Sequence, residues 1–154
     1  MAGSRLILIA HRGNTTGPSN QENSPPHILK ALLSGYDVEV DVWKTDSGIF
    51  LGHDKPEYKT NLELLKTKGV WCHAKSLESL EFLLSHDAVC FWHEEDERTL
   101  TSNKHIWTYP LKKTNKRSII VCKDLNSTAL YAREQIYAVC SDFVELVDDN
   151  LDKK

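Results

Sequence analysis

Five apolar residues in a row, Leu6 to Ala10, stop abruptly at His11-Arg12-Gly13. An unbroken, Ile-rich run of this length reads as a strand buried on both faces, and such strands belong to parallel sheets covered by helices. A helix is expected next. After a polar loop, Ser24 can cap it, Pro25 suits its first turn, Ile28, Leu29, Leu32 and Leu33 supply an apolar stripe, and Gly35 can close it. A buried strand followed by a helix opens a barrel or a doubly wound sheet.

The alternation continues along the chain. Val38 to Trp43 places Val38, Val40 and Val42 on one side of a strand and Glu39 and Asp41 on the other, so both acids share a face. Thr45 to Gly48 form a turn, and Ile49 to Gly52 return as a hairpin arm ending at His53. Gly69 to Lys75 reads as a strand, Ser76 to His86 as a helix with Leu77, Leu80, Leu83 and Leu84 along one side, and Ala88 to His93 as a strand. Later strands are expected at Ile106 to Tyr109, Ser118 to Cys122 and Val139 to Phe143, with a helix around Thr128 to Ile136.

Closed (β/α) barrels usually need about 250 residues. This chain has 154, and its connections after His93 and Tyr109 are too short for full helices. The expectation is therefore an α/β fold: a trimmed or incomplete (β/α) TIM-type barrel, with residues 1–154 as a single domain. Its bare flank is covered by a loop or buried in a homodimer. An open, mostly parallel sheet is the alternative architecture.

Composition excludes several classes of function. The net charge is -3 and the lysines are scattered, so nothing suggests a broad basic surface for nucleic acid. Leu6 to Ala10 is far shorter than the roughly 20 residues that span a bilayer, and it lacks the pattern of a signal peptide. A cytoplasmic protein is expected. Cys72, Cys90, Cys122 and Cys140 form no Cys-x-x-Cys pair and sit in apolar stretches, so they read as small buried hydrophobes, reduced and facing away from the barrel axis.

Four motifs occur in order: His11-Arg12-Gly13, Glu22-Asn23-Ser24, Glu39-Val40-Asp41 and His53-Asp54. This series resembles the glycerophosphodiester phosphodiesterase family, within the wider phosphatidylinositol phospholipase C-like barrels. The likeness is dense from Leu6 to Asp54 and thin through Lys75. It implies a phosphodiester as small-molecule substrate, with His11 and His53 as a general acid and base pair of unassigned order. Glu39 and Asp41 offer oxygen donors for one divalent cation, Mg²⁺, Ca²⁺ or Mn²⁺. Arg12 either binds phosphate oxygens or pairs with Glu22, and Asp54 either supports a neighbour or begins a turn.

The family places a Glu two residues before a Lys on the following strand. Here the segment is Trp71-Cys72-His73-Ala74-Lys75, so Lys75 fits as a phosphate contact and His73 stands where a carboxylate is expected. An imidazole in the metal set with Glu39 and Asp41 lowers affinity for Mg²⁺ or Ca²⁺ and favours Mn²⁺ or Zn²⁺. A compensating acid could come from Glu94 or Glu95, with Phe91, His93 and Glu95 alternating inward. Trp92, Trp107 and Tyr109 line a pocket or fill the core. Two other readings stay open: an inactive phosphate-binding domain of the same fold, and a metal-independent lyase like the bacterial phosphatidylinositol phospholipases C.

Overall fold

The opening apolar run forms strand β1 (Ile7–His11) in the computed structural model, which describes residues 5–151. The expected domain limits at 1–4 and 152–154 lie outside the described residues. Helix α1 (Pro25–Leu33) follows, then β2 (Asp37–Thr45), β3 (Gly48–Leu51), β4 (Tyr58–Thr60) and the short helix α2 (Leu62–Leu65). Strand β5 (Val70–Ala74) and helix α3 (Leu77–Ser85) lead to the short strands β6 (Cys90–Phe91), β7 (Arg98–Leu100) and β8 (Ile106–Thr108). The chain ends on β9 (Ser118–Cys122), α4 (Leu125–Tyr131), β10 (Ala138–Ser141) and α5 (Val144–Leu151).

Seven strands run parallel in the order β6-β5-β2-β1-β10-β9-β8, and the sheet they form curls into a partial barrel. The upper part of β2 leaves this ring and pairs antiparallel with β3, which pairs in turn with β4. On the far side β7 lies antiparallel to β8. No strand ladder joins β6 to β7 among the described residues. Single bonds span that seam instead: Ser102 N donates to Cys90 O at 2.8 Å, and Thr99 Oγ1 donates to Trp92 O at 3.0 Å. Inside the seam the Phe91 and Trp107 rings stack with centroids 4.2 Å apart.

Alternation along the strands splits the core in two. Between sheet and helices lie Leu8, Ala10, Val38, Val40, Val42, Cys72, Ala74 and Ile120, with Ile28, Ala31 and Leu83 from the helices. Inside the curl lie Ile9, Trp71, Phe91, Trp107, Ile119, Val121, Ala138 and Cys140. Fully burying one such side chain stabilises the fold by about 1.5–3 kcal/mol, so Val40→Asp, which also strands a charge, would break the outer layer.

Several expectations are corrected in detail. Ser24 sits at the N-cap of α1 but makes no cap bond, and its hydroxyl is buried without a partner. Caps elsewhere do form: Asn61, Ser76 and Asp124 accept from Leu64 N, Ser79 N and Ser127 N. Leu29, Leu33, Leu77 and Leu84 are exposed, because the curled sheet touches only a narrow line on each helix. The strand expected at Ala88 to His93 is laddered over two residues only, and the helix expected at Thr128 to Ile136 runs Leu125–Tyr131. Cys140 faces the interior and not the helices, because it is in phase with Ala138 and Ile9. All four thiols are free and buried, as expected.

Candidate active site

The strands' carboxyl ends open on a cavity of about 170 Å³ lined by His11, Arg12, Glu39, Asp41, His53, His73, Phe91, His93, Trp107, Tyr109, Val121 and Lys123. Ligand sites of parallel barrels form at this end, where side chains from different strands converge. Of the residues expected from sequence, His11, Arg12, Glu39, Asp41, His53 and His73 all reach this bowl. Lys75 stands beside it, with Nζ 3.9 Å from Asp41 Oδ1. Glu94 and Glu95 are exposed and do not line the bowl, so they do not complete the metal set.

A tight reversal places the first of these residues. Arg12 (φ 54°) and Gly13 (φ 84°) both adopt the left-handed region directly after β1, and a side chain at Gly13 would meet His27 Cδ2 at 2.9 Å. The turn directs Arg12 N to Glu39 Oε2 at 3.3 Å and its guanidinium to Glu22 Oε2 at 3.1 Å and Asp41 Oδ2 at 3.3 Å. The pairing of Arg12 with Glu22 forms, and Arg12 also lines the bowl. Asn23, itself at φ 63°, clamps Asp41 by donating Nδ2 to Oδ2 and accepting the Asp41 backbone N–H, each at 2.9 Å.

Glu39 and Asp41 are 2% and 1% exposed on the same face of β2. Burial and the neighbouring Asp41 charge push the Glu39 carboxyl up. Burial also works against the charged form of Asp41, but bonds from His73 and Asn23 and the Arg12 charge hold its pKa down. Two carboxylates this close and this dry are costly unless a cation balances them. Donor atoms of Glu39, Asp41 and His73 lie within 4.8 Å of one another, so this set fits a metal ion.

His11 donates Nδ1–H to Asp142 Oδ1 at 2.9 Å, while its Nε2 lies 3.6 Å from Glu39 Oε2. Burial pulls the imidazole pKa down, but the Asp142 bond and the Glu39 charge outweigh it, and the net shift is upward. Asn14, fully buried, donates to both Asp142 and Glu22 and accepts from His27 Nε2, each at 2.9 Å. His53 is far more open, at 45% side-chain exposure, with Nδ1 on Asp54 Oδ1 at 2.8 Å. Its position is nevertheless fixed from below. Gly52 donates N–H to Asp41 O, accepts Trp43 Nε1–H, and has no room for a side chain against the Lys55 carbonyl.

Aromatic rings form the adjoining wall. His73 lies nearly parallel to Phe91 (centroids 5.0 Å, 10°) and to His93 (4.7 Å, 7°), and Tyr109 meets His93 edge-on at 5.3 Å. Burial, then the proximity of His73 and Lys75, lower the His93 pKa to about 4. Trp107 and Tyr109 do line the bowl, whereas Trp92 packs on the outer layer. Sequence reasoning missed Asp142, Asn14 and Lys123. The alternation that found Glu39 and Asp41 would have found two of them, because Asp142 continues Ala138 and Cys140, and Lys123 continues Ile119 and Val121.

Fold and site together define a partial (β/α) barrel with a buried acidic pair at the carboxyl ends of its strands. No family model matches this chain, and no curated protein sequence matches it. Its backbone is similar to the crystal structure of glycerophosphodiester phosphodiesterase from Agrobacterium tumefaciens str. C58, at TM-score 0.60 and 11% identity, covering 96% of this chain and 99% of that one. At that identity the likeness shows the shared fold. No helix among the described residues is long and apolar enough to cross a membrane.

Proposed function

We propose that this chain is a single-domain, metal-dependent phosphodiesterase that cleaves a glycerophosphodiester-like small molecule with His11 and His53 as its proton carriers. The observation that carries the reading is the convergence of His11, Glu39, Asp41 and His73, from three adjacent strands, on one bowl. Four buried free thiols suit a reducing compartment such as the cytoplasm.

Glu39, Asp41 and His73 would hold one divalent cation. A bound cation would polarise the phosphoryl oxygen and offset charge growing on it. Asp142 fixes the ring of His11 and leaves Nε2 facing the bowl. The bond to Asp142 and the Glu39 charge outweigh burial and shift His11 toward its protonated form, which suits protonation of the leaving oxygen. His53, open to solvent and oriented by Asp54, suits removal of a proton from water or a substrate hydroxyl. Lys75, Lys123 and Arg12 bring positive charge to the phosphate, with Arg12 also bracing Glu22 and Asp41.

Incubation of the purified protein with a panel of glycerophosphodiesters, with each divalent metal and with EDTA, tests this. Turnover that needs metal and stops with EDTA is expected. EDTA-resistant turnover would identify the lyase instead, and substrate binding without turnover an inactive binding domain.

A further inference from the structure

The reading of Glu39, Asp41 and His73 as a cation site leaves open which ion they take, and the surroundings of His73 bear on that choice. Its Nε2 faces the backbone carbonyl of His93 at 3.4 Å, a long hydrogen bond in which the ring nitrogen is the donor. A proton on Nδ1 makes the bond to Asp41 Oδ1, 3.2 Å away; once that proton is lost and Nε2 keeps its own, the neutral ring presents the Nδ1 lone pair there. Two lone pairs at that separation repel unless a proton or a metal ion is shared between them. A metal-binding histidine usually donates its other N–H to a backbone carbonyl or carboxylate, which fixes the tautomer and ring orientation.

The ring cannot easily turn away. Phe91, at the end of β6, and His93, two residues further on, hold it parallel to themselves within 10° and 7°. Position 73 also lies directly opposite Asp41 in the ladder between β2 and β5, so backbone register fixes the spacing of these two donors. The opposing strand contributes no acid in reach, since Glu94 and Glu95 are exposed outside the bowl. The donor set is therefore two carboxylates and one imidazole nitrogen.

We infer that His73 ligates through Nδ1, with the His93 carbonyl as its outer partner, and that this selects a first-row transition ion such as Mn²⁺, Co²⁺ or Zn²⁺ over Mg²⁺ or Ca²⁺. Imidazole suits the former, whereas all-oxygen sets suit the latter. Hard ions gain less from exchanging water for nitrogen.

Pulsed EPR of the wild-type protein loaded with Mn²⁺ alone reads this directly, without any activity. Modulation from an imidazole nitrogen is expected, and it should vanish in His73→Glu. Competition with Mg²⁺ then checks selectivity: Mg²⁺ should displace Mn²⁺ about 10- to 100-fold more readily from His73→Glu than from wild type. The wild-type spectrum stands even if the variant fails to fold. Bound Mn²⁺ without nitrogen coupling, or equal Mg²⁺ competition in a folded variant, would overturn this inference and leave the metal-dependent phosphodiesterase reading intact. No bound ion at all would overturn both.

Discussion

Strand β2 is nine residues long and laddered on both sides, whereas β6 is two residues long and laddered on one. Only β5 separates the two strands in the sheet, yet they carry different kinds of side chain. On the β1-β2-β5 side, buried Glu39 and Asp41 are held by Asn23, Arg12, His73 and Lys75, each fixed by a continuous backbone ladder or a clamped loop. On the β6-β8 side, where the ladder is missing, Phe91, His93, Trp107 and Tyr109 close the wall with ring faces. Buried charge needs exact donors, which a rigid ladder supplies. Ring stacking asks only for area, so it tolerates a looser backbone.

The largest effect should come from the laddered side. Glu39→Gln and Asp41→Asn are each expected to lower turnover by about 10³-fold or more, because on the proposed mechanism several kcal/mol of transition-state stabilisation depend on a cation held there. Phe91→Leu should cost turnover far less in the same assay. An equal loss from Phe91→Leu would erase the division of labour.

Next, His11→Ala is expected to lower kcat toward the upper end of the about 10²- to 10⁴-fold range for proton transfer, and His53→Ala toward the lower end. The difference follows from His11 being braced by Asp142 while His53 is nearly half exposed. Steady-state kinetics at saturating substrate decides it. Wild-type turnover in either variant would remove that residue from the reaction.

Trp107→Ala attacks the other side. It should destabilise the fold by about 3–5 kcal/mol in urea unfolding, since the stack with Phe91 spans a seam with no ladder beneath it. A loss below about 1 kcal/mol would mean that the single bonds from Ser102 and Thr99 hold the seam by themselves.

A smaller, pH-dependent effect separates the two regions again. Because the folded pKa of His11 is raised above its ordinary 6.5, its pairing with Asp142 and Glu39 stabilises the fold fully below that value and is lost as pH rises through the folded pKa. Measured with EDTA present, His11→Gln should therefore be destabilised more at about pH 6 than at about pH 9. A gap that widens with pH would reverse the sign assigned to the shift. Smallest of all, Cys72→Ala should leave turnover unchanged and cost about 1 kcal/mol, because Cys72 sits between sheet and helices. Impaired turnover in the folded variant would contradict that placement.

These contrasts also mark what the sequence could show. Period-two alternation on β2 and β5 brought Glu39, Asp41, His73 and Lys75 to one face correctly, because a long ladder enforces the period. The same rule applied to the His93 segment placed Glu95 inward, and it failed there because the ladder ends at Phe91 and the chain turns out to solvent. Alternation along β10 points Asp142 inward, but its pairing was hidden for a different reason. Its partner, His11, lies 131 residues away, and only the parallel pairing of β1 with β10 brings them together. The seam itself has no local signature, since it is the absence of a pairing.

That seam sets the geometry of the mouth. In a fully hydrogen-bonded barrel, strand number, tilt and stagger fix one another, so the diameter comes only in discrete steps. Here the ring is interrupted, and across the gap the spacing is that of two stacked rings, 4.2 Å between Phe91 and Trp107. Ring thickness and side-chain length can be varied one residue at a time without disturbing any strand ladder. Positions 91 and 107 thus act as a calliper on the aperture of the bowl, and through position 91 any adjustment also reaches the His73 ring stacked on it.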